Sequence, residues 1–277
     1  MITTQLMGGL GNQLFQIYNL ISYCIDNDCQ FILEKHEMLR GPIRNYNVYW
    51  DNIFKNIESN LVLCKKYIFR FPIYKEPTFA YKKIPKIAQD LNVKFHGYFQ
   101  SYKYFHHNLH KINKLLNIEL LTNTIIEKKN INYENFISIH FRIGDYAKLQ
   151  NYHPLMTPEY YIKSIEFIIN KTQKSDWKIL IFCEKMDIDI VNLKLSVIKE
   201  NYPEIEFVFC DHNLKDWEQM LQMSLCKHNI IANSTFSWWS ACLNKNMDKI
   251  ICIPENWFGP KAKHSTDDLY LPDWNKI

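Results

Sequence analysis

Two turns in the second half of the chain carry residue types suited to binding an anion. The first is His140-Phe141-Arg142-Ile143-Gly144-Asp145-Tyr146, which grows out of the apolar run FISIHF at 136–141. Alternate residues of an extended strand share a face, so His140 and Arg142 project to one side and Gly144 lets the chain turn directly afterwards. A guanidinium at such a place offers a planar fork of N–H donors that matches phosphate oxygens. The same residues also support a plainer role, in which Arg142 pairs with Asp145 and pins the turn.

The second turn is Asn233-Ser234-Thr235-Phe236-Ser237-Trp238-Trp239, with a predicted helix following through Ser240 to Asn244. Hydroxyl side chains, free backbone N–H groups and the positive end of a helix coincide there, which makes a phosphate site by construction. Ser234 or Thr235 would equally serve as a helix cap with no ligand present. Neither turn decides between its readings alone. What connects them is their expected place at one edge of one sheet, where together they could grip a diphosphate.

Other candidates point elsewhere. Asp187-Ile188-Asp189 follows a strand and mimics a metal-holding D-x-D, yet acidic residues are also favoured at a helix N-terminus. His106 and His110 stand one helical turn apart without the glutamate of a zinc hydrolase pattern, which favours a solvated face. The aromatics of GYFQSYKYF could stack on a sugar or line the core. MGGLGNQLFQ, at 7–16, suggests a dinucleotide cradle, but Leu14 stands where the third glycine of G-x-G-x-x-G belongs. Its glycines fit a close backbone approach that presents Asn12.

These residues need a scaffold. Short runs FISIHF, KILIFC, EFVFC, NIIA and KIICIP suit buried strands, and helical spacing lies between them. TPEYYIKSIEFIIN opens with Thr157 as N-cap and Pro158 at the first helical position. LKDWEQMLQMSLC repeats Leu214, Trp217, Leu221 and Leu225 on one face. Four alternations of strand and helix predict a parallel sheet covered on both sides, with ligands outside the carboxyl ends of its strands.

The first half starts alike. ITTQLM, then Leu14, Ile17, Ile21 and Ile25 at helical spacing, then CQFILE predict one βαβ unit. The pattern weakens from about 40 to 95, where Pro42, Pro72, Pro77 and Pro85 interrupt it. SYKYFHHNLHKINKLL restores a helical run. The expected division is an N-terminal α/β domain over 1–130 and a C-terminal α/β domain over 131–277, facing across a cleft.

Composition excludes other classes. With 47% hydrophobic and 22% charged residues the chain is an ordinary globular one, and 33 basic against 29 acidic residues leave no dense basic stripe for nucleic acid. No apolar run is long enough to span a bilayer and no leader pattern opens the chain, so a cytoplasmic protein is the expectation. Eight cysteines, Cys24, Cys29, Cys64, Cys183, Cys210, Cys226, Cys242 and Cys252, form no C-x-x-C pair and mostly lie in apolar runs. Buried, reduced thiols are expected, and the sequons at Asn170 and Asn233 are without consequence in that setting.

Taken together, GGLGNQLFQ, HGYFQSYKYF at 96–105, HFRIGDY at 140–146, CKHNIIANSTFSWWSACLN at 226–244 and the ending LYLPDW resemble the alpha-1,2-fucosyltransferases, in that family's order and over nearly the whole chain. The resemblance implies a GT-B-like fold of two Rossmann-like domains. It also implies GDP-β-L-fucose as donor substrate, no cofactor and no required metal, and transfer with inversion to the 2-hydroxyl of a galactose-type acceptor. By position Arg142 looks like the donor-phosphate ligand, with His140 and Asp145 in its motif; Asn233, Ser234, Thr235 and Phe236 match the nucleotide-sugar segment, and Asn12 matches the asparagine that faces the reacting centre in related protein O-fucosyltransferases.

Two departures stand out. Many members carry a second arginine where this chain has Ile143, and a common F-S-D-D pattern is here Phe182-Cys183-Glu184-Lys185. They keep two alternatives in view, a transferase with another nucleotide sugar or acceptor, and a non-catalytic glycan-binding descendant. The catalytic base, if the reaction uses one, stays open between His140 and Asp145.

Overall fold

The computed structural model describes residues 1–41, 44–62 and 70–277, so Pro42 and Cys64 lie outside the described residues. The chain forms two compact units. One comprises Met1–Leu121 with His264–Leu271, the other Thr122–Lys263 with Pro272–Ile277. The division at 121 falls inside a helix, Ile118–Lys129, and the return of His264–Leu271 to the first unit has no mark in the local sequence.

In the first unit, strands β1 (Ile2–Thr4), β2 (Leu33–Glu34), β3 (Met38–Leu39), β4 (Tyr46–Asn47), β5 (Leu61–Val62), β6 (Ile73–Lys75) and β7 (Val93–His96) surround a long helix, Leu10–Asn27. The main sheet is parallel in the order β1-β7-β6. The expected βαβ unit is reduced to a parallel bridge between Ile2 and Phe31, after which the chain leaves to pair β2 with β5.

The helix Leu10–Asn27 is buried on nearly every side, not along one stripe. Leu14 and Ile17 are fully covered, but so are Gln13, Gln16 and Ser22. The glutamines bond the turn locally: Gln13 Nε2 donates to Gly8 O (2.9 Å) and Asn47 O (2.7 Å), and Met7 N donates to Gln16 Oε1 (2.9 Å). Buried amides therefore hold the glycine turn in place of water.

The predicted helix over SYKYFHHNLHKINKLL is broken. Two single 3-10 turns, Tyr102–Tyr104 and His106–Asn108, precede a short α-helix, Leu109–Leu115. Burial of Tyr104 and Phe105, with Phe105 meeting Phe15 and Tyr18 edge-on, overrides helical spacing here.

In the second unit, β8 (Phe136–His140), β9 (Lys178–Phe182), β10 (Glu206–Phe209), β11 (His228–Ile230), β12 (Ile251–Ile253) and β13 (Asn275–Lys276) form one parallel sheet in the order β10-β9-β8-β11-β12-β13. Helices Pro158–Thr172, Ile188–Asn201, Asp216–Leu225 and Thr235–Leu243 connect the first five strands, giving the four alternations expected from the pattern. Thr157 and Pro158 start the first of these helices as predicted. Ile137, Ile139, Ile179, Ile181, Ile165 and Ile168 are fully covered in the core, each contributing about 1.5–3 kcal/mol of apolar burial.

The strand order reverses direction at β8 and β11. Successive strands step outward from β8 to β10, then resume on the other side at β11, which opens a crevice at the carboxyl ends of β8 and β11.

Candidate functional site

Both anion-suited turns leave the sheet at this switch point. Within β8, Ile137 and Ile139 enter the core, so Ser138, His140 and then Arg142 occupy the opposite face. Register places Ser138 beside Asn229 of β11. Asn229 Nδ2 donates to Ser138 Oγ (2.7 Å) and Met223 O (2.8 Å), while Asn244 Nδ2 donates to Asn229 Oδ1 (2.7 Å). This buried network ties both strands to the far end of the helix Thr235–Leu243 and fixes where its near end lies.

That near end is open. Ser234 occupies the N-cap position but its side chain makes no capping bond. Among the described residues no acceptor meets the N–H groups of Thr235, Phe236 and Ser237, and the first bond of the helix runs from Trp238 N to Ser234 O (3.0 Å). Capping by Ser234 is thus not what the hydroxyl does here. Free N–H donors at a helix N-terminus are the kind of group that suits an anion.

The two turns touch. His140 and Phe236 place their rings 5.3 Å apart, and Tyr146 Oη donates to Asn233 O at 3.3 Å. Asn233 spends its amide on Pro154 O (2.9 Å) and Trp257 O (3.1 Å), so it holds the turn through internal bonds. Tyr160 Oη donates to Ile231 O (2.7 Å) and Cys252 O (3.1 Å), and Tyr161 Oη to His140 O (2.9 Å), so one helix clamps the ends of β8, β11 and β12.

Arg142 realises the plainer reading as well as offering the other. It forms ion pairs with Asp145 and with Glu184 at the end of β9, and its guanidinium lies 5.0 Å from the centre of the Tyr146 ring. The side chain is 14% exposed, which leaves part of its donor fork reachable. Gly144, in the left-handed region at φ 36°, gives its N–H to Asp187 Oδ2 at 3.0 Å. Asp187 therefore braces the arginine turn from the start of its own helix. Among the described residues no three His, Cys, Asp or Glu side chains group as a metal site.

Burial, with the charge of Arg142 beside it, pushes the His140 imidazole down to about 3. The ring is neutral at working pH, its Nδ1 buried with no partner among the described residues. A group that binds protons only near pH 3 has little drive to take one at pH 7. The ring instead packs against Phe236.

Sequence reasoning named Glu184 and Tyr146 only as members of their motifs, without a role, and did not reach Tyr160 or Tyr161. Glu184 carried a signal, as an acid directly after a strand; the tyrosines did not, because a buried tyrosine reads as core. Ile143 is 3% exposed and belongs to the core cluster, so the place of a second arginine is packed with apolar contacts, not left empty.

In the first unit Asn12 stands in the opening turn of its helix and accepts from Gln100 Nε2 at 2.9 Å. Gly8 precedes it at φ 74°, and a Cβ there would strike the Asn12 amide. Of the aromatics in GYFQSYKYF, Phe99, Tyr104 and Phe105 are core, and Tyr98 is exposed. Gln100, not a ring, is the part of that segment that reaches Asn12.

The chain is 29% identical to an alpha-1,2-colitosyltransferase of Escherichia coli, over 96% of this chain and 95% of that one. It is 27% identical to the O-antigen biosynthesis glycosyltransferase WbnK of Escherichia coli, over 97% and 98%. A galactoside 2-alpha-L-fucosyltransferase of Caenorhabditis elegans is 22% identical over all of this chain and 79% of that one. Among solved structures, POFUT1 in complex with GDP-fucose superposes with a TM-score of 0.51 at 10% identity, over 90% of this chain and 96% of that one. That likeness is one of fold, and with the parallel sheets it bears out the α/β, GT-B-like class. The sequence profile of glycosyl transferase family 11 matches residues 1–277, and the chain belongs to that family.

Proposed function

We propose that this glycosyltransferase moves L-fucose from GDP-β-L-fucose, with inversion and without a metal, to the 2-hydroxyl of a galactose-type acceptor. The observation that carries the reading is the meeting of the Arg142 turn with the open helix end at Ser234–Phe236, at the switch point of a parallel sheet. Family membership and the galactoside 2-alpha-L-fucosyltransferase relative support the choice of sugar and linkage.

The chemistry follows from charge. As the glycosidic bond breaks, the sugar becomes oxocarbenium-like and the diphosphate gains negative charge. Arg142 and the N–H groups of Thr235 and Phe236 are preorganised donors for that charge, the kind of term that dominates such catalysis. Ser234 adds a hydroxyl at the same place. Asp145 keeps Arg142 aimed, His140 and Asn233 shape the turn, and Asn12 serves the acceptor and the transferred sugar.

A second reading has its own support. The colitosyltransferase relative shares more identity than the fucosyltransferase, so a GDP-linked colitosyl donor on the same diphosphate grip is the competing assignment. Incubation of the purified protein with each GDP-sugar and galactose-terminated acceptors, with EDTA present, separates them. Fucosylated product with a 1,2 linkage is the expected result. Product from the colitosyl donor alone would transfer the assignment to it, and GDP binding without any product would favour a glycan-binding role.

A further inference from the structure

Three parallel strands of the first unit pair side by side, and the segment that follows each carries a polar residue. Asn12 comes after β1, Glu76 directly after β6, and Gln100 after β7. Glu76 N donates to His96 O (2.9 Å), which continues the pairing of β6 with β7 and puts the Glu76 side chain beside the turn that follows β7.

That turn, Gly97–Gln100, has an unfavourable shape for its sequence. Phe99 adopts φ 51°, in the left-handed region that a bulky residue avoids. Its ring is fully buried against Phe95 (5.8 Å) and Tyr104 (5.4 Å), so it cannot relax by swinging out. The N–H groups of Tyr98 and Phe99 both donate to Glu76 Oε2, at 2.8 and 3.0 Å. Two bonds to one carboxylate oxygen are the stronger, charge-assisted kind. Gly97 allows the approach, since a Cβ there would collide with the Glu76 side chain.

The next residue after this braced turn is Gln100, whose Nε2 donates to Asn12 Oδ1 at 2.9 Å. Gln100 is 8% exposed, with little freedom to find another partner. We propose that Glu76 and Gln100 are positioning residues for the transfer reaction, Glu76 shaping the Gly97–Gln100 turn so that Gln100 sets the Asn12 amide in its working orientation.

The carboxyl braces this turn at a cost. Its Oε1 is buried with no partner among the described residues. Burial pushes the carboxyl above the usual range, against the pull of its two N–H bonds, with the Tyr74 and Tyr104 phenols as its titratable neighbours. A carboxyl buried at a cost beside a proposed site is the pattern of a functional constraint.

The inference rests on the reading that Asn12 serves transfer, and a double-mutant cycle tests it. Glu76→Gln, Gln100→Ala and Asn12→Ala are assayed singly and in pairs, with unfolding midpoints and GDP affinity measured alongside. Glu76→Gln is expected to lower kcat about tenfold or more while GDP affinity stays within about twofold. In the Asn12→Ala background it should add almost nothing, because residues acting as one unit are non-additive. Should Glu76→Gln fail to fold, Gln100→Ala carries the same expectation. Unchanged kcat, or losses that add to that of Asn12→Ala, would overturn the proposal. Failure of the underlying reading shows separately, as absence of transfer by the unaltered protein, and takes the proposal with it.

Discussion

Arg142 meets two carboxylates, and a diphosphate arriving at its guanidinium must compete with them for N–H donors. Removal of the cation should therefore cost more than removal of either anion. Arg142→Ala is expected to lower turnover on the order of a hundredfold or more, as loss of one charge-stabilising donor does. Steady-state rates on a variant shown by circular dichroism to be folded provide the check; near wild-type turnover would remove Arg142 from the mechanism. Glu184→Gln should act in the opposite sense on binding. One negative charge fewer beside the site should tighten GDP by roughly threefold to tenfold at low salt, with the gain shrinking as salt rises. Titration calorimetry at two ionic strengths reads it, and weaker binding would mean that Glu184 holds the nucleotide itself. In the first unit, Asn12→Ala should impair transfer more than GDP binding, whereas equal loss of both would return the glycine turn to the role of a phosphate cradle.

At the scale of elements, the second unit was far more legible than the first. Parallel strands buried on both faces read as continuous β-branched runs, and Thr157-Pro158 announces a helix start with a physical cause. The pairing of turns after β8 and β11 followed from those runs together with the general rule for switch points. In the first unit the strands are two to four residues long, too short to show a period, and the long helix is buried on nearly every side, so the spacing of its apolar residues alone does not show that Gln13, Gln16 and Ser22 are covered too. Gln13 and Gln16 are the lesson there, since only the fold reveals that they bond the glycine turn. Glu76 and Gln100 escaped for a related reason, because their partners lie 22 and 88 positions away in the chain. The buried network around Asn229 yields an element-scale prediction. Asn229→Ala leaves Ser138 Oγ, Met223 O and Asn244 Nδ2 without that partner, and should cost roughly 2–4 kcal/mol. Urea unfolding of the variant against wild type measures it; a loss below about 1 kcal/mol would show that the network does not anchor the helix Thr235–Leu243.

For the whole molecule, buried histidines set the response to acid. Burial with Arg142 nearby pushes His140 down to about 3, and burial pushes His228 down to about 4. Unfolded, both would protonate near pH 6.5. Between those values the unfolded chain binds more protons, so their contribution is present above about pH 6.5 and is lost as pH falls toward 4. The raised carboxyls of Glu76 and Asp187 work the other way, their burial cost easing as they protonate. Urea midpoints followed by tryptophan fluorescence should fall from pH 7 to pH 5, and a His140→Gln variant should show a shallower fall. An unchanged midpoint would contradict the buried, neutral histidines. The seven described cysteines are all free, six of them buried, as expected of thiols that serve packing. Among the described residues no helix is long and apolar enough to cross a membrane.

Arg142 and the open helix end at Ser234–Phe236 are proposed to grip a sugar-linked diphosphate. The most direct measurement is a crystal structure of the protein with GDP bound. The diphosphate is expected against the Arg142 guanidinium and the N–H groups of Thr235 and Phe236. A diphosphate seated instead in the glycine turn at Gly8–Gly11 would contradict it.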